Sequence, residues 1–184
     1  MPRADAQRNL DALLTAAREE FTAQGVDVNV RAIAARAGVG TATLYRHFPQ
    51  RSDLVAAVFR RELDECVADA ATIAAQHEPG EALDLWVQRY REFLETKRGL
   101  AGALHSGDPA YSALPEYFHS RAAPVLGALL RGAEQAGVIR AGTDPMDILG
   151  AIANLCVPFP GSDNDTATRM VSLLLDGLRY RARS

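Results

Sequence analysis

The segment Thr41–Phe48 combines polar, aromatic and basic side chains at helical spacing. A helix of 3.6 residues per turn places Leu44 and Phe48 on one side of this segment and Arg46 on the other. An arginine can grip guanine with two hydrogen bonds, the methyl groups of threonine and alanine can meet thymine methyl groups, and tyrosine and histidine can reach phosphates or base edges. The candidate DNA contacts on this segment are Thr41, Ala42, Thr43, Tyr45, Arg46 and His47.

Two short helices have to position these residues. Asn29 is a good N-cap for a helix over 30–37, and a second helix follows over about 41–48 after a short turn. In that turn Gly38 can take the left-handed conformation that ends the first helix, and Val39 can point inward between the two. This pattern is typical of a helix-turn-helix, whose second helix enters the DNA major groove. The remaining predicted DNA-binding residues are Asn29, Arg31 and Arg51.

The distribution of charge supports the same hypothesis, although the net charge of the chain is −3. Residues 1–61 contain nine arginines and six acidic residues, a net charge of +3. The other 123 residues contain eleven basic and seventeen acidic side chains, a net charge of −6. The basic end is therefore the end with the predicted helix-turn-helix, as expected for an electrostatic footprint on phosphate.

Hydrophobic periodicity predicts helices throughout the rest of the chain, and no segment alternates with the period of a strand. The predicted helices cover about 8–24, 30–37, 41–48, 52–75, 79–99, 101–105, 115–136, the segment that begins at Asp144, and 165–181. The sequence thus predicts an all-α protein of about nine helices. We expect a DNA-binding domain over residues 1–51 and a larger helical domain over residues 52–184.

Composition limits the other classes of function. Cys66 and Cys156 lie 90 positions apart without ligand spacing, so we expect neither a metal site nor a disulfide and assign the chain to a reducing cytoplasm. The longest uncharged run, 148–162, is too short and too interrupted to span a bilayer, so no membrane association is expected. No cofactor motif is present. An enzyme using His105 and Asp108 remains an alternative, but no activated nucleophile accompanies them.

The stretch IAARAGVGTATLYRHFPQRSDLVAAVF, residues 33–59, resembles the helix-turn-helix of TetR-family transcriptional repressors. Seven residues stand where the family pattern has them: Gly38, Val39, Thr43, Leu44, Tyr45, Phe48 and Leu54. There are two departures. Gly40 replaces the serine that usually caps the second helix, which should weaken the cap by only a few tenths of a kcal/mol. Arg51 replaces the usual lysine and keeps the charge with a planar head.

The resemblance, which covers about residues 8–60, implies a homodimer that binds double-stranded operator DNA and is released by a small-molecule effector. In the family the last two long helices pair between subunits and the middle helices enclose the effector pocket. The apolar stripes of the last two helices predict an interface through Ile148, Ile152, Met170, Leu174 and Leu178. The predicted pocket for a hydrophobic effector contains Trp86, Tyr90, Phe93, Leu94, His105, Tyr111, Phe118, Leu155 and Phe159.

Each of these predictions has an alternative. Aromatic residues at helical spacing are more often ordinary core than the lining of a ligand pocket. The apolar faces of the last two helices could be buried within one subunit instead of between two. A helix-turn-helix can be a purely structural corner, and a helical cavity can serve a small enzyme or a ligand carrier.

Overall fold

The computed structural model describes residues 2–163 and 165–180, and it confirms the all-α prediction. Within these residues there are nine α-helices, of which eight are seven residues or longer, and one 3-10 turn at Pro109–Tyr111. The helices are α1 (Pro2–Gln24), α2 (Val30–Arg36), α3 (Thr41–His47), α4 (Arg51–Gln76), α5 (Pro79–Gly99), α6 (Ala101–Leu104), α7 (Leu114–Gln135), α8 (Pro145–Leu155) and α9 (Thr166–Arg179).

Short polar residues and glycines set the ends of several helices. The side chain of Asn29 accepts a hydrogen bond from the backbone N–H of Arg31 and so caps α2. Asp144 caps α8 in the same way by accepting from the N–H groups of Met146 and Asp147. Gly137, just after α7, has a φ of 68°, a left-handed conformation that favours glycine. These ends confirm the positions that the sequence predicts for them.

Contacts between residues divide the chain into two compact units. The first contains the described residues up to Leu63 together with Glu95–Tyr117, and the second contains Asp64–Leu94 together with the residues from Phe118 onward. The divisions fall inside α4, α5 and α7. The predicted domain boundary after residue 51 coincides with the start of α4, and its role as a domain boundary stays a prediction.

The first unit has a core built from α1, α2, α3 and the beginning of α4. Leu13, Phe21 and Ile33 are fully buried there, as is Leu54 on α4. α1 contacts α2, and α2 contacts α3, so the two short helices are supported by a longer one. This packing matters because helices of seven residues are marginal in water and need tertiary contacts to persist.

The second unit has its own core, centred on α5. Leu83, Trp86, Leu126, Ile152 and Leu178, from four different helices, are all buried. Helices α5, α7, α8 and α9 thus all contribute side chains to this core. None of the helices in the described part of the chain is long and apolar enough to cross a membrane.

Candidate nucleic-acid interface

The turn between α2 and α3 is closed by backbone hydrogen bonds. The N–H of Gly38 donates to Ala35 O at 3.1 Å, and the N–H of Val39 donates to Ala34 O at 3.0 Å. Gly38 has a φ of 68°, as the sequence predicts, and Val39 is half-buried. Gly40 is the N-cap of α3 and offers no side-chain hydrogen bond. The turn that precedes α3 is therefore held by main-chain hydrogen bonds.

Helix α3 buries one face and exposes the other, as the helical wheel predicts. Leu44 and Phe48 are buried, whereas Tyr45 is 52% exposed and Arg46 is also exposed. The Arg46 Nη2 donates a hydrogen bond of 3.2 Å to Thr43 Oγ1, one turn earlier. This bond orients the guanidinium along the exposed face before any ligand arrives. Among the other predicted contacts, Thr41 and Ala42 are exposed, and Thr43 and His47 are half-buried.

The residues predicted on either side of α3 have different surroundings. Arg31, in the first turn of α2, is exposed, while the side-chain oxygen of Asn29 is occupied by the cap. The Arg51 guanidinium donates to the backbone carbonyl of Val26 and, at 2.9 Å, to that of Val28. Arg51 thus holds the segment that precedes α2, a role that the sequence does not predict.

A second set of hydrogen bonds that holds this region in place is also not predicted by the sequence. Arg36, the last residue of α2, donates from Nε to Glu20 Oε1 at 2.6 Å and from Nη1 to Glu19 Oε2 at 3.1 Å. Glu20 is buried, and Gln24 donates to its other oxygen at 2.5 Å. The hydrogen bond with Glu20 raises the pKa of the Arg36 guanidinium above its ordinary value, so this arginine stays charged and paired.

The charge pattern around α3 suits a polyanion. Residues 28–52 contain four arginines and no aspartate or glutamate. Glu19 and Glu20, the acidic residues that contact α2, are both paired with Arg36. The exposed face of α3 is thus free of local carboxylates, and a phosphate backbone would meet no like charge from these residues.

In the second unit, four aromatic rings form a stack. The Trp86 and Tyr90 ring centroids are 5.7 Å apart with planes 5° from parallel, and Tyr90 lies 6.0 Å from Phe93. Phe118 on α7 stacks on both Tyr90 and Phe93 at 6.1 Å. These centroid separations lie within the favourable range for aromatic pairs. The stack brings together four of the nine residues predicted to line a ligand pocket.

The polar atoms of this stack are bonded within the protein. Trp86 Nε1 donates to Cys66 O at 2.9 Å, and the Tyr90 hydroxyl donates to Leu149 O at 3.3 Å. Burial, with smaller contributions from the nearby Cys66 and Cys156 thiols, raises the pKa of Tyr90 well above its ordinary value. Tyr90 is therefore a neutral hydrogen-bond donor.

Three of the four rings in the stack have almost no solvent-accessible surface. Trp86 and Phe93 are 0% exposed and Tyr90 is 1% exposed, so no water-sized void touches Trp86 or Phe93. In this conformation these predicted pocket residues are a filled core, and a ligand among them would have to displace side chains. Of the other predicted residues, Leu94 is buried, Phe118 and Leu155 are half-buried, Phe159 is 51% exposed, and His105 (exposed) and Tyr111 (buried) belong to the first unit.

The predicted interface residues on α8 and α9 are largely covered by their own chain. Ile148, Ile152 and Leu178 are buried because they face the core of the second unit. Met170 and Leu174 are half-buried. The outward side of α9 instead presents Leu173, which is 71% exposed. Apolar periodicity identified the inner faces of these helices, and a partner would meet residues on the outer faces.

Two family models match the chain. The bacterial regulatory proteins of the tetR family match residues 13–58, the segment that contains α2, the turn and α3. The C-terminal domain of SbtR-like transcriptional regulators matches residues 78–180, more than half of the chain. The two matched segments cover both ends of the fold described above.

Solved structures and curated sequences agree with these matches. A TetR transcriptional regulator from Streptomyces coelicolor is 35% identical, with a TM-score of 0.77 over 92% of this chain and 97% of that chain. A TetR transcription regulatory protein from Mycobacterium vanbaalenii is 34% identical, with a TM-score of 0.74 over 97% of this chain and 99% of that one.

HTH-type transcriptional regulators of Staphylococcus aureus are 40% identical over 63 residues, 34% of this chain. The matched region spans 34% of the length of those relatives. Members of this family are regulators and not enzymes, so the comparisons argue against the alternative that the chain is an enzyme. The geometry of α2 and α3 agrees with the two family matches and with the solved structures, and the chain therefore belongs to the TetR family of transcriptional regulators.

Proposed function

We propose that this regulator is a repressor that binds a palindromic operator as a homodimer and leaves it when a small hydrophobic effector binds the C-terminal domain. The observation that carries the DNA-binding part is the exposed face of α3. There Tyr45 and Arg46 project from a segment without acidic residues. Arg36 holds the preceding helix α2 against α1, and Arg51 holds the segment before α2. Helix α3 can enter the major groove with Arg46 positioned for a base edge.

The small size of the DNA-contacting surface of α3 favours a dimer. One recognition helix of seven residues contacts only a few base pairs, whereas two copies related by a two-fold axis read both halves of a palindrome. The outward side of α9, with Leu173, supports the proposal because an exposed leucine gains free energy when a second copy covers it. Since chromosomal DNA is the target, we place the protein in the bacterial cytoplasm.

The effector part of the proposal rests on the aromatic stack around Tyr90. Because the stack is closed, an effector would bind by selecting a minor conformation in which it opens, and it would have to favour that conformation over the DNA-binding one. Trp86 fluorescence reports such an opening. Saturable changes on adding an apolar compound, reversed by operator DNA, are the expected result.

The experiment for DNA binding begins with selection of bound sequences from random duplexes, which should enrich a palindrome. Fluorescence anisotropy on the selected duplex then compares the wild-type protein with Arg46→Ala and with Arg140→Ala, an exposed arginine of the second unit. Loss of a bidentate base contact costs about 1–3 kcal/mol, so Arg46→Ala should weaken binding roughly 5- to 150-fold. Arg140→Ala should bind as the wild type does. Equal affinities for the two variants, with folding intact, would contradict the proposal.

A further inference from the structure

A shallow groove runs between α5 and α9 in the second unit. The two helices are antiparallel there, because Arg91 contacts Thr168 at one end and Asp84 contacts Arg179 at the other. The groove has a volume of about 190 Å³. Its floor is apolar and consists of the buried side chains of Val87, Val171 and Leu175.

One end of this α5–α9 groove carries a net negative charge. Arg179 Nη2 donates to both carboxylate oxygens of Asp84 at 2.6 Å, and its Nη1 lies 3.3 Å from Asp176 Oδ1. The hydrogen bonds with Asp84 raise the pKa of the Arg179 guanidinium above its ordinary value. Two carboxylates thus surround one guanidinium, which leaves no attraction there for a further anion.

The other end carries an uncompensated positive charge. The Arg91 Nη2 donates to the Thr168 hydroxyl at 2.7 Å, and no carboxylate in the described part of the chain pairs with this arginine. Its Nε is buried and has no hydrogen-bond acceptor among the described residues. Buried polar groups in folded proteins are rarely left in this state, and each exception needs an explanation. The guanidinium as a whole is half-buried and its acceptor among the described residues is a neutral hydroxyl, so it is a natural partner for an anion.

We propose that the α5–α9 groove is a binding site for a small carboxylic acid with a short hydrocarbon tail. The carboxylate binds Arg91, with the exposed Gln88 and Ser172 side chains of the rim as further donors. The tail lies over the apolar floor toward the Asp84–Arg179 end.

The dimensions and chemistry of the groove select the ligand. Its volume is below the range of about 300–1,000 Å³ that drug-sized ligands occupy, so the acid has few carbons. Asp84 and Arg91 are seven positions apart and so about 10 Å apart along the helix, which sets the limit for the tail. Inorganic phosphate could pair with the Arg91 guanidinium, but it would leave the apolar floor of the groove exposed to water. This site is separate from the aromatic stack, and the inference holds whether or not an effector opens that stack.

The test uses the full chain and butanoate as the probe. Its binding is measured by calorimetry and by the NMR signal of the arginine Nε–Hε group, with Arg91 assigned by substitution. Butanoate should bind saturably and shift the Arg91 signal, and Arg91→Gln should weaken binding at least about tenfold. Arg140→Gln, which removes an exposed arginine outside the groove, should bind butanoate as the wild-type protein does.

A chain-length series keeps the test independent of how Arg91→Gln folds. In the wild-type protein, affinity should rise up to about fourfold per added methylene from acetate to pentanoate, since each methylene covers more of the floor. Butanamide, which has the shape of butanoate without its charge, should not bind measurably. Equal binding of butanamide and butanoate, equal affinities of Arg91→Gln and wild type, or tighter binding of phosphate than of butanoate would each overturn the proposal.

Discussion

Gly99, at the end of α5, lies directly against the main chain of Phe21 on α1. A Cβ atom at position 99 would be 2.6 Å from the Phe21 carbonyl oxygen and 3.0 Å from its carbonyl carbon. Only glycine permits this approach, because the obstructing atoms belong to backbone that cannot rotate away. The contact places the end of α5 against α1, the helix that also supports α2 through Glu20.

Gly99→Ala should therefore destabilise the protein by about 1–3 kcal/mol, the typical cost of forcing an extra methylene into a packed site. Urea unfolding monitored by circular dichroism measures the change. Gly132→Ala is the matched control, because its nearest foreign atom would be 4.0 Å from the new Cβ. That substitution in α7 should be neutral or stabilise by up to about 1 kcal/mol. If Gly99→Ala were as stable as Gly132→Ala, the close approach of α5 to α1 would be wrong.

Substitution of Arg51 separates its two possible roles. Because Arg51 fastens the Val26–Val28 segment, Arg51→Ala should lower the free energy of unfolding by about 1 kcal/mol. Arg51→Lys should lose most of the same stability, since an ammonium cannot reproduce the forked geometry. A residue that only contacts phosphate would instead leave stability unchanged and reduce the slope of log affinity against log salt by about 1. Unfolding and salt titrations on both variants distinguish these results.

The buried hydroxyl of Tyr90 should make stability depend on alkaline pH. Its pKa is raised in the folded protein, first by burial, so above about pH 10 the unfolded chain ionises while the folded one stays protonated. The unfolded state then binds fewer protons, and the contribution of Tyr90 to stability falls as pH rises.

Tyr90→Phe isolates that contribution. At pH 8 the variant should be less stable by about 1 kcal/mol, because the hydrogen bond to Leu149 O is lost. Near pH 11 the difference should shrink or reverse. Tyr45→Phe, which changes an exposed tyrosine, should leave the free energy of unfolding unaltered at both pH values. A Tyr90→Phe difference that stays constant with pH would contradict the burial of this hydroxyl.

The proposed dimer predicts a strong effect at Leu173. A leucine buried at an interface contributes about 1.5–3 kcal/mol, and a carboxylate in its place would also require desolvation. Leu173→Glu should thus convert the dimer to a monomer at micromolar concentration, as measured by light scattering. Ala128→Glu introduces the same charge at an exposed site on α7 and should leave the dimer intact. A Leu173→Glu protein that remains dimeric would show that α9 does not form the interface.

Local signals in the chain predicted the helices and the turn correctly because the interactions behind them span few residues. The Asn29 cap reaches Arg31, and the Gly38 turn closes on Ala34 and Ala35. The start of α1 at Pro2 was missed, since periodicity in the first residues indicated a helix only from Arg8. The charge balance of residues 1–61, +3 against −6 for the rest of the chain, likewise pointed to the helix-turn-helix end, because composition is visible without coordinates.

Contacts between distant residues could not be predicted in this way. Arg36 and Glu20 are 16 positions apart, Arg51 and Val26 are 25 apart, and Tyr90 and Leu149 are 59 apart. Each depends on how whole helices pack, which short spacings do not encode. For that reason Arg51 was expected to contact DNA alone, and Arg36 was not singled out.

By itself, the sequence determined the family, the all-α class and the residues that α3 exposes, because turn chemistry and helical period are local properties. Only the tertiary structure decided what lies opposite each apolar face. Periodicity shows that Trp86, Tyr90 and Phe93 share one side of α5, but the packing of Phe118 against that side makes it a filled core. The unpaired charge of Arg91 also depends on tertiary packing. A guanidinium is paired only when neighbouring helices bring a carboxylate within reach.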